Sequence, residues 1–133
     1  MDEKQKKLRA QLASLDSAQA AERLINMYPL ESVDFSEGLL LISHLSWKKS
    51  DQKKLARHFF KKLPFASARG YEAFASFMSV KNMLECVCER FSMSSSDMSL
   101  LLYHLIPVLS RAAKSDQDRQ LILAFLKDFD LDV

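Results

Sequence analysis

The residues best equipped for recognition chemistry are crowded into one stretch. From position 47 to 62 the chain reads Trp-Lys-Lys-Ser-Asp-Gln-Lys-Lys-Leu-Ala-Arg-His-Phe-Phe-Lys-Lys. Seven basic side chains (Lys48, Lys49, Lys53, Lys54, Arg57, Lys61, Lys62) stand there against one acid, Asp51. Leu55, Phe59 and Leu63 repeat every four residues, with Ala56 and Phe60 beside them, so a helix here carries an apolar stripe opposite a cationic face. Such a face suits phosphates, whose condensed counterions it releases. It equally suits an anionic membrane surface with Trp47, Phe59 and Phe60 as anchors, or an acidic protein surface. The plainer alternative is a solvated helix face whose stripe packs on the core.

The remaining chemistry-bearing residues are scattered. His44 and His104 sit in apolar segments, where a neutral imidazole bonded to a nearby polar group is expected. Neither they nor His58 belongs to an HExxH motif or a histidine pair at helical spacing. Cys86 and Cys88 diverge by about 200° around a helix and so are poorly placed to pair with each other. They also lack the second Cys/His pair of a structural zinc site, which leaves packing as their expected role. Asp128, Asp130 and Asp132 resemble the opening of a calcium loop without its glycine or distal glutamate. Gly38 and Gly70 are the only glycines, too few for a phosphate-cradling or dinucleotide-binding loop, and no GxSxG nucleophile motif occurs. The carboxylate pairs Glu85/Glu89 and Glu31/Asp34 read as solvated helix faces. Catalysis, a bound metal and a cofactor are therefore not expected.

The elements that position these residues are helices. The chain of 133 residues is 48% hydrophobic and 27% charged, the composition of one globular domain spanning 1–133. Two glycines and three prolines argue against hairpin-rich architectures, which consume turn residues. No stretch alternates apolar and polar residues over a strand's length. Helix-start chemistry recurs at Asp16, Asp34, Ser50, Ser67, Ser79, Ser96 and Ser115, and Asp34 with Glu37 has the form of a capping box. With an opening helix over residues 3–15, the expected fold class is all-α. It is a compact bundle or short α-solenoid-like stack of seven to eight short helices. Residues 35–45 and 100–109 are apolar nearly all round and are expected to be covered on almost every side. Pro107 should kink or split the second of these near Ile106. Residues 92–99, with five serines, read as an exposed loop.

The net charge of +2 names no partner by itself, but its distribution is lopsided, because outside the basic run the chain is net acidic. No secretory signal, no apolar run of membrane-spanning length and two unpaired cysteines point to a soluble cytoplasmic protein. The expected function is non-enzymatic. A small interaction protein of the adaptor, inhibitor, antitoxin or immunity type would bind an acidic protein surface through the basic helix 48–62. The expected contact residues are Trp47, Lys48, Lys49, Lys53, Lys54, Arg57, Phe60, Lys61 and Lys62, with Trp47 and Phe60 as apolar anchors. The alternative is a nucleic-acid-binding protein that uses the same helix against phosphates.

Overall fold

A computed structural model describes residues 1–90 and 94–128. Among them are eight α-helices and no strand: α1 (Glu3–Ala13), α2 (Ser17–Met27), α3 (Phe35–Ser43), α4 (Lys49–Phe59), α5 (Arg69–Ala75), α6 (Val80–Cys88), α7 (Ser95–Ala112) and α8 (Asp116–Lys127). A 3-10 turn, Phe60–Lys62, extends α4.

Local chemistry sets most of the boundaries. The side chains of Asp16, Ser79 and Ser115 accept the backbone N–H of Gln19, Asn82 and Asp118, which satisfies donors that a helix start leaves without partners. A full capping box forms at Asp2 and Gln5. The one expected at Asp34 does not close. The Ser32 hydroxyl accepts the Asp34 N–H, and the Glu37 carboxylate is drawn instead to the Tyr28 hydroxyl, which donates to it at 2.6 Å. Three other expected caps are displaced, because α4 starts from Lys48, α5 from Ala68 and α7 from Ser94. Residues 95–99 are consequently helix and not loop, while Ser92 lies outside the described residues, as do Asp130 and Asp132.

The helices form two layers. α2, α4, α6 and α8 lie side by side in one, and α3, α5 and α7 in the other, each helix packing most extensively on the next but one along the chain. α1 joins both layers, packing on α2 and reaching α3 through Gln5 to Glu37 and Arg9 to the His44 carbonyl. The all-α expectation holds, and this pairing is that of a short stack.

Aromatic rings fill the space between the layers. Phe59 of α4 lies 4.8 Å from Phe35 of α3 and 6.2 Å from Phe74 of α5, centroid to centroid. Phe60 meets Phe74 at 4.9 Å and Phe65 at 6.1 Å, and Phe65 packs on Tyr71 at 5.0 Å. The Tyr71 hydroxyl accepts the Phe65 N–H at 3.1 Å, so this ring brings its polar end into the core with a partner.

One expectation is corrected here and one is narrowed. In a two-layer stack each helix turns one face outward, so neither α3 nor α7 is wrapped. Leu40 of α3 remains 39% exposed and Tyr103 of α7 75%. α7 also runs through Pro107 without splitting. Pro107 withholds a hydrogen bond from the Tyr103 carbonyl, but both residues lie on the exposed face, where water can take its place. Among the described residues no helix is long and apolar enough to cross a membrane.

Gly70 is required by close approach. A Cβ there would stand 2.5 Å from the Phe65 ring, which also packs against Phe60 and Tyr71. In a helix, Gly→Ala would ordinarily stabilise by about 1 kcal/mol. At Gly70 the overlap reverses the sign, and Gly70→Ala is expected to lower stability by roughly 1–3 kcal/mol in chemical denaturation. A stabilised Gly70→Ala variant would contradict this packing.

Candidate partner-binding surface

The basic run is built on a helix whose buried face is fully committed. Leu55, Ala56 and Phe59 are in the core, and Asp51 joins them at 7% exposure, the one buried charged side chain among the described residues. Asp51 belongs to a cap assembled from two helices. The Lys48 N–H donates to the Ser17 hydroxyl at 2.9 Å, and that hydroxyl donates to the Asp51 carboxylate at 2.6 Å. The start of α4 is thereby tied to the start of α2, with the carboxylate near the positive end of its own helix. The only acid in the basic run thus turns inward.

The outward side carries the cations, and α6 trims them. Lys53 donates to Glu85 at 3.1 Å, and Arg57 donates to both carboxylate oxygens of Glu89 at 3.1 and 3.2 Å. The hydrogen bond to Glu89, reinforced by its charge, raises the Arg57 pKa further above its ordinary value. Both bridges are open to water, and pairs of this kind contribute about 0–1 kcal/mol each. Their effect here is on charge pattern. The glutamates that read as a bare solvated pair are the counterions of the neighbouring helix.

Of the nine contact residues expected from the sequence, Lys48, Lys49, Lys54, Lys61 and Lys62 are exposed and have no ion pair among the described residues. Lys62 places its ammonium 5.0 Å above the Phe35 ring. Trp47 and Phe60 are corrected as surface anchors. Trp47 is 8% exposed and its indole N–H donates to the Ile42 carbonyl at 3.0 Å, while Phe60 is wholly buried. Their apolar area is spent between the layers, so neither aromatic is available as a surface anchor beside the exposed lysines.

The histidines do not assemble a site. His58 Nε2 lies 2.9 Å from the Tyr28 carbonyl, an acceptor, so that nitrogen carries the proton. His44 is an exposed residue at the end of α3, and His104 stands edge-on to Tyr103 at 5.0 Å. Among the described residues no group of three or more His, Cys, Asp or Glu could hold a metal ion. No protein-family model, no curated protein and no solved structure matches the chain.

One feature escaped the sequence reading: an open groove of about 990 Å³ between α3 and α5, lined by Leu39, Leu40, Lys62, Phe65, Arg69 and Glu72 among others. The available signal was on α3. Phe35, Gly38, Leu41 and Ile42 complete one helical face, which leaves Leu39 and Leu40 as apolar residues beyond it.

Titration and thiol chemistry test this arrangement. Burial raises the pKa of Tyr28, whose bond to Glu37 adds to the effect, and burial likewise raises those of Tyr71 and Cys86. In each case the folded state holds its proton after the unfolded chain has lost it. Stability is therefore complete below the ordinary thiol and phenol values of 9.0 and 10.0 and declines above them. The urea midpoint is expected to fall between about pH 9 and pH 11, and a flat profile would contradict it. Cys88 is exposed and Cys86 buried, both as free thiols. A thiol-specific chromophore should label Cys88 readily in the folded protein and Cys86 only after denaturation; equal labelling of both without denaturant would contradict the placement.

Proposed function

We propose that the protein acts by binding, as a small interaction protein of the adaptor, inhibitor, antitoxin or immunity type. In this reading Lys48, Lys49, Lys54, Lys61 and Lys62 meet an acidic surface on a protein partner. The observation that carries it is that five lysines of residues 48–62 are exposed and without counterions among the described residues, while Lys53 and Arg57 of the same segment have them. Charges of one sign displayed together steer association and set register.

A protein partner is favoured over nucleic acid by the position of Glu85 and Glu89. Their carboxylates lie within the cationic surface, paired to Lys53 and Arg57. A continuous phosphate backbone would meet them with repulsion, whereas a protein surface can match a mixed pattern position by position. The near-neutral total of +2 points the same way. Two free thiols suit a reducing compartment such as the cytoplasm.

The reading is tested by co-purification from native extract with identification by mass spectrometry, followed by titration of the recovered partner. Charge reversal in a Lys54→Glu/Lys61→Glu variant is expected to weaken binding by about tenfold or more, or about 1.4 kcal/mol. Glu85→Gln/Glu89→Gln, which frees Lys53 and Arg57, is expected to accelerate association at low salt. Unchanged affinity after the lysine reversal removes the basis of the reading. Steeply salt-dependent retardation of DNA or RNA, lost in the same variant, assigns the ridge to phosphates instead.

A further inference from the structure

We infer that two copies of this chain associate through the outward face of α7, antiparallel about a two-fold axis at Tyr103.

α7 packs on α5 and α8 and keeps an exposed face along Ser96, Leu100, Tyr103, Pro107 and Ser110. At the other end of the stack α1 shows water a charged face of Glu3, Lys4, Lys6, Lys7 and Arg9, as the last element of a stack requires for solubility. α7 does the reverse. From Met98 to Ser110 the chain holds no acid, lysine or arginine, its longest run without one. Within that run Leu100 is 40% exposed and Tyr103 75%. Pro107 is exposed beside them and Ile106 partly so. Tyrosine is among the residues most enriched where proteins meet, because its ring is apolar and its hydroxyl tolerates water.

The layout of this face says what covers it. A closed two-fold contact needs a surface that complements itself. At about 100° per residue around Tyr103, Leu100 and Pro107 fall on one flank and Ser99 and Ile106 on the other, while Ser96 and Ser110 lie near the centre line. Positions equally far before and after Tyr103 therefore match. In an antiparallel pair Leu100 of each copy lies opposite Pro107 of the other, Ile106 lies opposite Ser99, and the two Tyr103 rings meet at the axis. The small Ser96 and Ser110 let the helices approach.

Charge completes the match. Asp97 and Arg111 bound the neutral run, and both lie on the Leu100–Pro107 flank, about 120° and 80° from Tyr103. Antiparallel pairing sets Asp97 of each copy beside Arg111 of the other, which makes two pairs of opposite charge; a parallel pair leaves them at opposite ends. Asp97 is exposed and has no ion pair among the described residues. Arg111 reaches Glu72 only at 3.7 Å, and its side chain is 67% exposed. Both are open to a second copy. None of the lysines of α4 takes part, so this contact and the proposed partner surface stand or fall separately. The lysine face could not meet its own copy in this way, because like charges would oppose each other.

The test is sedimentation equilibrium of the full chain over about 5–500 µM at physiological salt. One helix pair is at the small end of specific interfaces, so the mass is expected to rise from 15.2 kDa toward twice that value with a dissociation constant of about 10–100 µM. Tyr103→Lys sets two cations face to face at the axis and is expected to weaken association at least about tenfold. The residue is mostly exposed, and circular dichroism checks that the variant folds. Asp97→Lys and Arg111→Glu are each expected to weaken association, and the double variant Asp97→Lys/Arg111→Glu to recover it, since the pairs re-form with their signs exchanged. Lys54→Glu/Lys61→Glu is expected to leave the mass unchanged. The proposal is overturned by a monomeric mass across the whole range, or by a dimer that folded Tyr103→Lys leaves intact. It is equally overturned by a double charge exchange that dissociates like the single ones, or by loss of the dimer in the α4 lysine variant.

Discussion

The fold turns on the packing of Phe59 against Phe35 and Phe74. α4 belongs to one layer of the stack, yet its last residue reaches both leading helices of the other. Phe60 extends the contact to Phe65, and Phe65 in turn lies where only a glycine can stand beneath it. Removing a buried phenylalanine of this kind is worth on the order of 3–5 kcal/mol, a large share of the 5–15 kcal/mol that holds a small domain together. The glycines at positions 38 and 70 serve the same seam, since a Cβ at Gly38 would approach the Tyr28 and Phe59 rings at 2.9 and 3.2 Å. Neither turns a loop; both let rings close on a helix.

Because the seam is built from α4, the same sixteen residues supply the centre of the core and the charged exterior. That double duty fixes how the cations are shown. Leu55, Ala56 and Phe59 set the rotation of the helix about its axis. The cap shared by Ser17, Lys48 and Asp51 holds its start against α2. With both settled, Lys53 and Arg57 pair with the glutamates of α6, while Lys54 and Lys61 are exposed without an ion pair among the described residues. The exposure of these lysines is thus a consequence of how core packing sets the helix.

This division explains what was legible in the sequence. Stripes such as Leu55–Phe59 and Ile122–Phe125–Leu126 repeat with the helical period, and Asp16, Ser79 and Ser115 cap where a side-chain oxygen meets a free backbone donor, so the helices and the all-α class follow from local rules. Whatever depended on a partner distant in sequence did not. Asp34 and Glu37 have the capping pattern, but Tyr28 competes for the glutamate. Glu85 and Glu89 read as a solvated pair because their cations lie 32 residues away. Trp47 and Phe60 beside a lysine run fit a surface anchor and a core residue equally well on composition, and only the layer across from them decides in favour of the core. The apolar surplus of α3 was visible, but whether it met a neighbour or water depended on how far apart α3 and α5 stand.

Withdrawal of the two aromatics changes what the ridge can contribute. A field of lysines raises encounter rates and orients a partner, but each solvated pair adds little to affinity. Binding energy concentrates where apolar groups are desolvated in a pocket, and among the described residues Leu40 is an exposed apolar side chain that lines the groove between α3 and α5. In the proposed reading the lysines of α4 would therefore supply steering, and affinity would have to come from apolar surface elsewhere on the molecule.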